Sequence, residues 1–312
     1  MNLRTVNPVL DRELRQRSRS LRSLVILTIF LSLLTLVLFL TYKGNEASAE
    51  FAFDPLAALT RGTGRSMFEW VLAAELILLL FLVPGLSAGS VAGERDRQTL
   101  VPLQVTLLGP VQIFMGKVLA SSSFLLLLLI GSAPILAVPL LIGGVSLSQV
   151  LLSLLTLLVI GFLLAVIGVG CSSIFRRTQT ATLAAYAVVL ALVFGTVISI
   201  AALAIIDSTR GNDDVDPVLE ALYANPFLAV ADAAGDLGSQ PRGPFSPIKQ
   251  IFWEVEFEED VAFVGNQPAP LRNQPGGLPL WLRSLLTIGA ISALFGFAGV
   301  RKLRAPQAEL SV

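Results

Sequence analysis

Residues 84–117 read PGLSAGSVAGERDRQTLVPLQVTLLGPVQIFMGK. One apolar run ends here, a short charged segment (Glu94, Arg95, Asp96, Arg97) follows, and a second apolar run begins. Each run is long enough to cross a bilayer core, which takes about 20 helical residues. A charged turn joining two such helices is a handle on which something at one membrane face can push.

The rest of the chain has the same character. Of its 312 residues, 54% are hydrophobic and 14% charged, with a mean hydropathy of +0.77, the values of a membrane protein. Apolar stretches at 24–41, 70–92, 118–142, 150–172, 181–206 and 280–300 predict six spans. The first lacks a small-residue cleavage site and stands behind a polar head, so it reads as a span, not a signal peptide. The expected fold class is an all-α membrane protein. Its six transmembrane helices are joined by an N-terminal interfacial helix and a partly structured external segment between the fifth and sixth spans. The loops of the two halves differ too much in length to suggest an inverted repeat.

Basic residues set the expected orientation. With the N-terminus inside, Arg4, Arg12, Arg15, Arg17, Arg19, Arg22, Arg95, Arg97, Lys117, Arg176, Arg177, Arg301, Lys302 and Arg304 all fall on the cytoplasmic side. The remaining Lys and Arg are spread over two long external loops, so both termini are expected in the cytoplasm of a plasma-membrane protein. Residues 1–23 form the expected interfacial helix, with Asn7 as cap, Pro8 at the first helical position, and Glu13, Arg15 and Arg17 on its polar side. A disordered basic head is the alternative for this piece.

Residues 24–206 carry spans one to five, 280–304 the sixth span and 305–312 a tail. The loop 42–69 is expected outside, with FAFDPLAAL as a short interfacial helix. Residues 207–279 form the long, acidic external region. Within it NPFLAVADAAGDLG predicts a capped helix from Asn225 to near Gly235, and IFWEVEFEED (251–260) has the alternation of a strand.

Several chemistries are excluded by what is missing. Without histidine there is no histidine general base, serine–histidine triad or ordinary zinc site. Cys171, the sole cysteine, has no internal partner for a disulfide. No basic stripe with interleaved aromatics suggests nucleic-acid binding. GPVQIFMGKV resembles a phosphate loop only superficially: six residues separate Gly109 from Gly116, and Val118 stands where Ser or Thr would hold magnesium. Lys117 instead reads as a membrane-entry lysine, and the chain is expected to bind no cofactor of its own.

Within the spans, Glu75 is the one acidic residue. A charge at membrane depth costs at least about 2.5 kcal/mol, so it either lines a path through the protein or reaches the outer headgroups beside Glu69. Gly85, Gly89 and Gly93 recur every four residues, a seam along which a helix can approach closely. It serves a subunit interface, a pathway wall or packing within one chain. Pro84, Pro134 and Pro139 each remove a backbone donor in mid-span.

Three features together resemble a known family: NPVLDREL near the N-terminus, the run Gly93-Glu94-Arg95-Asp96-Arg97-Gln98-Thr99-Leu100, and Gly116-Lys117 entering the third span. With the six-span layout and the Asn225-Pro226 pair in the long external segment, the chain is similar to the permease subunit of type-2 ATP-binding-cassette (ABC) exporters. The resemblance implies that 93–104 is a cytoplasmic coupling segment docking on a separate ATPase subunit, with Glu94, Arg95, Arg97, Thr99 and Leu100 as contacts. It implies a second permease subunit, identical or related, and places ATP and magnesium in the partner ATPase. Pro102 and the apolar LQVTLL leave the length of the docking helix open. The chain is expected to be a transport subunit without catalytic residues. A non-transporting scaffold or sensor, binding a partner through its external region, is the alternative.

Overall fold

The computed structural model describes residues 21–50, 55–96, 109–199, 223–235, 243–246 and 278–303, with isolated positions at 98, 202, 263–264 and 267–268. The helices are α1 (Leu21–Glu50), α2 (Pro55–Ser87), α3 (Ala92–Asp96), α4 (Pro110–Ile142), α5 (Leu147–Ile174), α6 (Thr178–Leu190), α7 (Pro226–Ala233) and α8 (Leu280–Leu303). A π-helical turn, Ala191–Gly195, prolongs α6, so the fifth span runs from Thr178 to Ser199. Among the described residues six helices are long and apolar enough to cross a membrane, and the chain is a multi-pass, all-α membrane protein. The extended pairing among them is a two-residue antiparallel ladder, β1 (Phe263–Val264) with β2 (Gln267–Pro268).

The second span lies deepest. In its most apolar window 61% of residues are buried, against 11% in the first span. Helix α5 packs against α8, α2, α4, α6 and α7, while α1 leans on α2 and α4 alone among the major contacts. Lipid tails are as apolar as leucine, so burial alone does not hold such helices together; close backbone approach does. The glycines of α5 show how. A Cβ on Gly161 would lie 2.4 Å from Leu125 of α4, and one on Gly168 would overlap Ser87 of α2. On Gly170 it would lie 2.7 Å from the carbonyl oxygen of Phe295 in α8. The same face of α8 brings Gly299 to within contact of Gly170.

The loop expected at 42–69 is mostly helix. Helix α1 continues to Glu50 and α2 begins at Pro55, leaving only 51–54 between them. Hydropathy marks where a helix leaves apolar surroundings, not where it stops. Pro55 suits a first helical position because no backbone N–H is needed there. The polar turns that follow are held by Arg65 and Glu69, whose Nε and Oε1 lie 2.9 Å apart one turn along the helix. They also pack on the α4–α5 connection: Gly64 meets the carbonyl of Gly143, and Gly143 and Gly144 both take positive φ to make that turn.

Pro84, Pro134 and Pro139 lie inside helices that continue past them. Next to Pro84, the Tyr186 hydroxyl of α6 donates to the Phe81 carbonyl at 2.7 Å, meeting a backbone acceptor in the turn the proline disturbs.

The helix expected after Asn225 is present as α7. Asn225 Oδ1 accepts from the N–H of Phe227, and Gly235, at φ +81°, follows the last turn. Helix α7 is packed into the bundle against α8, α5 and α2, with Pro226, Leu228, Val230 and Ala233 buried. The interfacial helix with Glu13, Arg15 and Arg17, the strand pattern at 251–260 and the tail 305–312 lie outside the described residues.

Gly170→Val is expected to destabilise the protein by about 1–3 kcal/mol, because the facing Phe295 carbonyl is backbone and cannot rotate away. Gly289→Ala, with nothing within 4 Å of the added methyl, is the matched control. Thermal unfolding in detergent should show a lowered midpoint for the first and an unchanged or raised one for the second.

Candidate functional site

The charged turn sits at the end of the bundle where α2 finishes, α4 begins, α5 passes into α6 and α8 ends. A small apolar cluster, Val91, Phe114, Val118, Val169 and Leu303, ties these helix ends together. Helix α3 continues α2 after one irregular turn, with the N–H of Gly93 bonded to the Gly89 carbonyl.

Three anchors lock this turn onto neighbouring helices. Ser172 Oγ of α5 accepts from the N–H groups of both Val91 and Ala92, at 3.0 and 2.9 Å. Lys117 of α4 is 1% exposed; its Nζ donates to the Ser90 carbonyl and lies 2.9 Å from Glu94 Oε1. The third anchor is the pair Arg95–Asp96. Arg95 donates through Nη1 to the Phe175 carbonyl and through Nη2 to the Ser173 carbonyl. Asp96 Oδ2 accepts from both the N–H and the hydroxyl of Thr178.

The signs of this third anchor follow from helix ends. Helix α5 stops at Ile174, so its last carbonyls lack intrahelical donors and carry the negative end of the dipole. Helix α6 starts at Thr178 with no side-chain cap from Arg177, so its first N–H groups need an acceptor. A cation meets the first end and an anion the second, both from adjacent residues of one turn. The helix hairpin α5–α6 is therefore capped from outside, by residues some eighty positions earlier in the chain.

The expected coupling residues separate into two groups. Gly93, Glu94, Arg95 and Asp96 come together here, and the three charged side chains engage the protein's own helices. Gln98 is exposed at φ +59°, with its N–H bonded to the Arg95 carbonyl. Arg97, Thr99, Leu100 and the rest of the segment to residue 104 lie outside the described residues. Sequence reasoning missed the other half of the platform: Ser172, Ser173 and Thr178 as anchors, with Phe175, Arg176 and Arg177 exposed beside them. The signal was available. CSSIFRRTQT is the other short polar turn on this side of the predicted topology.

The glycine seam faces inward. A Cβ on Gly85 would meet the Tyr186 hydroxyl at 2.7 Å, and those on Gly89 and Gly93 would touch Thr178. Of the three uses the sequence allows, the structure displays packing of α2 on the fifth span within one chain.

Glu75 lies in the interior of the bundle rather than at its surface. It is 0% exposed, and Ser132 Oγ of α4 donates to its Oε1. Thr156 of α5 is buried too, at 1% exposure. Glu75 Oε2 and Thr156 Oγ1 have no hydrogen-bond partner among the described residues. Both are polar atoms buried within a largely apolar bundle.

At the opposite end α7 is held by side chains that serve other helices. Asn225 Nδ2 donates to Thr196 Oγ1 and to the Val193 carbonyl, which the π-helical turn leaves accessible. Asp232 accepts from the N–H of Trp281 at 2.7 Å, in the first turn of α8. Burial raises the Asp232 carboxyl above its ordinary pKa, and the Trp281 bond partly offsets that.

No protein-family model matches this sequence, and no curated protein matches it.

Ser172→Ala leaves two buried amides of the turn without their shared acceptor. A loss of about 1–3 kcal/mol is expected. Faster hydrogen exchange at Val91 and Ala92, with α1 unchanged, would show that the damage is local to this seat.

Proposed function

We propose that this chain is the membrane-spanning permease subunit of an ATP-driven type-2 ABC exporter, working with a separate ATPase subunit. The observation that carries the reading is the platform just described. A motor acting from one membrane face needs a short, stiff element joined to several spans at once. The α3 turn continues the second span, is ion-paired to the third, and caps the junction of the fourth and fifth. Force applied there reaches four spans without passing through a flexible loop.

In this reading both termini and the platform face the cytoplasm of a plasma-membrane protein, and ATP and magnesium belong to the partner ATPase. Two permease subunits, identical or related, enclose the path. The motor's contacts are shared between segment 93–104 and the α5–α6 turn. Glu94, Arg95 and Asp96 act mainly by keeping the two turns in register, while Phe175, Arg176 and Arg177 supply exposed apolar and basic surface. Helix α7 is packed into the bundle rather than presented outward, which gives the scaffold or sensor reading little support.

Co-purification from the native host is the test. An ABC ATPase subunit should come down with the intact chain, and its ATP hydrolysis should rise on association. The double variant Arg176→Glu/Arg177→Glu is expected to reduce both by about tenfold or more, with membrane yield and elution volume unchanged. Absence of any ATPase from the wild-type preparation would overturn the assignment; an unaffected double variant would remove the α5–α6 turn from the docking surface.

A further inference from the structure

Glu75 is an acid enclosed by the chain itself. It is wholly buried, and so are Leu72, Leu76 and Leu79, its neighbours on α2. A carboxylate in apolar surroundings needs a cation or several hydrogen-bond donors; without them a proton neutralises it. The helices packed on α2 are α1, α4, α5, α6 and α7. The lysines on these helices are committed elsewhere, Lys43 of α1 to Glu46 and Lys117 of α4 to Glu94. Arg65 of α2 itself pairs with Glu69. Helices α5, α6 and α7 contain no lysine or arginine, and their titratable groups are Cys171, Tyr186 and Asp232. The Tyr186 hydroxyl donates to the Phe81 carbonyl, and Asp232 accepts from the Trp281 N–H. Cys171 lies next to Ser172, at the charged end.

Hydrogen counting points the same way. The Ser132 hydroxyl carries one hydrogen and contacts two acceptors, Glu75 Oε1 and, at 2.9 Å, the Leu129 carbonyl. With Glu75 ionised, one of these two oxygen–oxygen contacts has no hydrogen in it. A proton on Oε1 supplies the missing one: Glu75 donates to Ser132, and Ser132 donates to Leu129. Glu75 Oε2, without a hydrogen-bond partner among the described residues, is then the carbonyl oxygen of a neutral acid. That is far cheaper to bury than half of a bare carboxylate.

Water does not fill the seam between α2 and α4 on the side of the charged end. A void of about 10 Å³ lies there among Leu82, Leu86, Phe124, Leu125 and Ser121. A single water needs roughly 10–15 Å³ and about two to four polar partners. Ser121 is the one polar side chain lining this void.

We propose that Glu75 is a proton-binding site of the packed bundle: its carboxyl holds one proton while α2 and α4 are together and yields it to water when they part. In that step one O–H bond of the acid breaks, the proton passes to a water molecule, and Glu75 is left ionised. Separation of the second and third spans and release of one proton are therefore a single event. The proposal rests on the multi-pass membrane fold and not on the exporter reading, so either can fail alone.

The test uses the full chain. Unfolding it from neutral detergent in sodium dodecyl sulfate and urea, at neutral pH with a dilute indicator dye, counts the protons released, because an exposed glutamate is ionised there. Wild type should release one proton more per chain than Glu75→Gln, whose amide has the shape of the neutral acid. Asp232, whose carboxyl burial raises, contributes to both chains and cancels. Infrared spectroscopy of the folded wild type in liposomes gives a reading that needs no variant. It should show a protonated-carboxyl band that shifts with isotope-labelled glutamate and exchanges slowly in heavy water. Equal proton release from the two chains, or no such band in the wild type, would overturn the proposal. A band that exchanges at once would place Glu75 in contact with water and overturn it as well.

Discussion

Two adjacent side chains, Arg95 and Asp96, hold the end of one helix and the beginning of the next. With the Ser172 and Lys117 anchors, that contact holds the charged end of the bundle together. Helix ends are the places where a membrane protein has unsatisfied backbone groups and no solvent guaranteed to supply partners. The α5–α6 turn does not solve the problem with its own residues, since Arg177 gives no cap. It is solved by a turn from elsewhere in the chain, with the positive group on the carbonyl end and the negative group on the amide end. A device of that kind makes two turns one body. It also explains why the second and fourth spans run beside each other with an unchanged offset, from Ser87 against Gly168 to Val91 against Ser172.

The bundle interior follows a related logic. Where helices touch, glycines let backbones meet, and several polar side chains, Ser132, Ser153 and Thr156 among them, are buried between spans. Glu75 with Ser132 is the clearest case, a carboxyl kept wholly from the surface. At the far end Asn225 and Asp232 repeat the charged end's solution in neutral and acidic form. They tie α7 to the π-helical turn of the fifth span and to the first turn of the sixth. Both ends are thus closed by side chains borrowed from distant sequence, leaving the spans themselves almost purely apolar.

This arrangement changes the meaning of the motif that first suggested a function. Charges in residues 94–96 look on paper like contacts for a partner, yet all three are occupied at home. The surface beside them, Phe175 with Arg176 and Arg177, is what a partner would meet. A motif can therefore mark a mechanical junction without itself being the contact surface.

How much of this was legible beforehand differs by element. Six spans, the capped helix after Asn225 and the charged turn were all readable, because hydropathy, cap chemistry and charge are local properties of a few consecutive residues. The start of α2 was not, since Pro55 and the Arg65–Glu69 pair keep a polar stretch helical that hydropathy alone treats as loop. Nor was the fate of Glu75, whose burial depends on Ser132 and the helices packed around it. The amino-acid order by itself determined which segments are long and apolar enough to cross a membrane, and that the chain carries no histidine and a single cysteine. Only the tertiary structure decided which turns are joined, which way the Gly85–Gly93 seam faces and which charges remain outside. The physical reason is that each of those rests on a contact between residues tens of positions apart, and no local pattern encodes the partner.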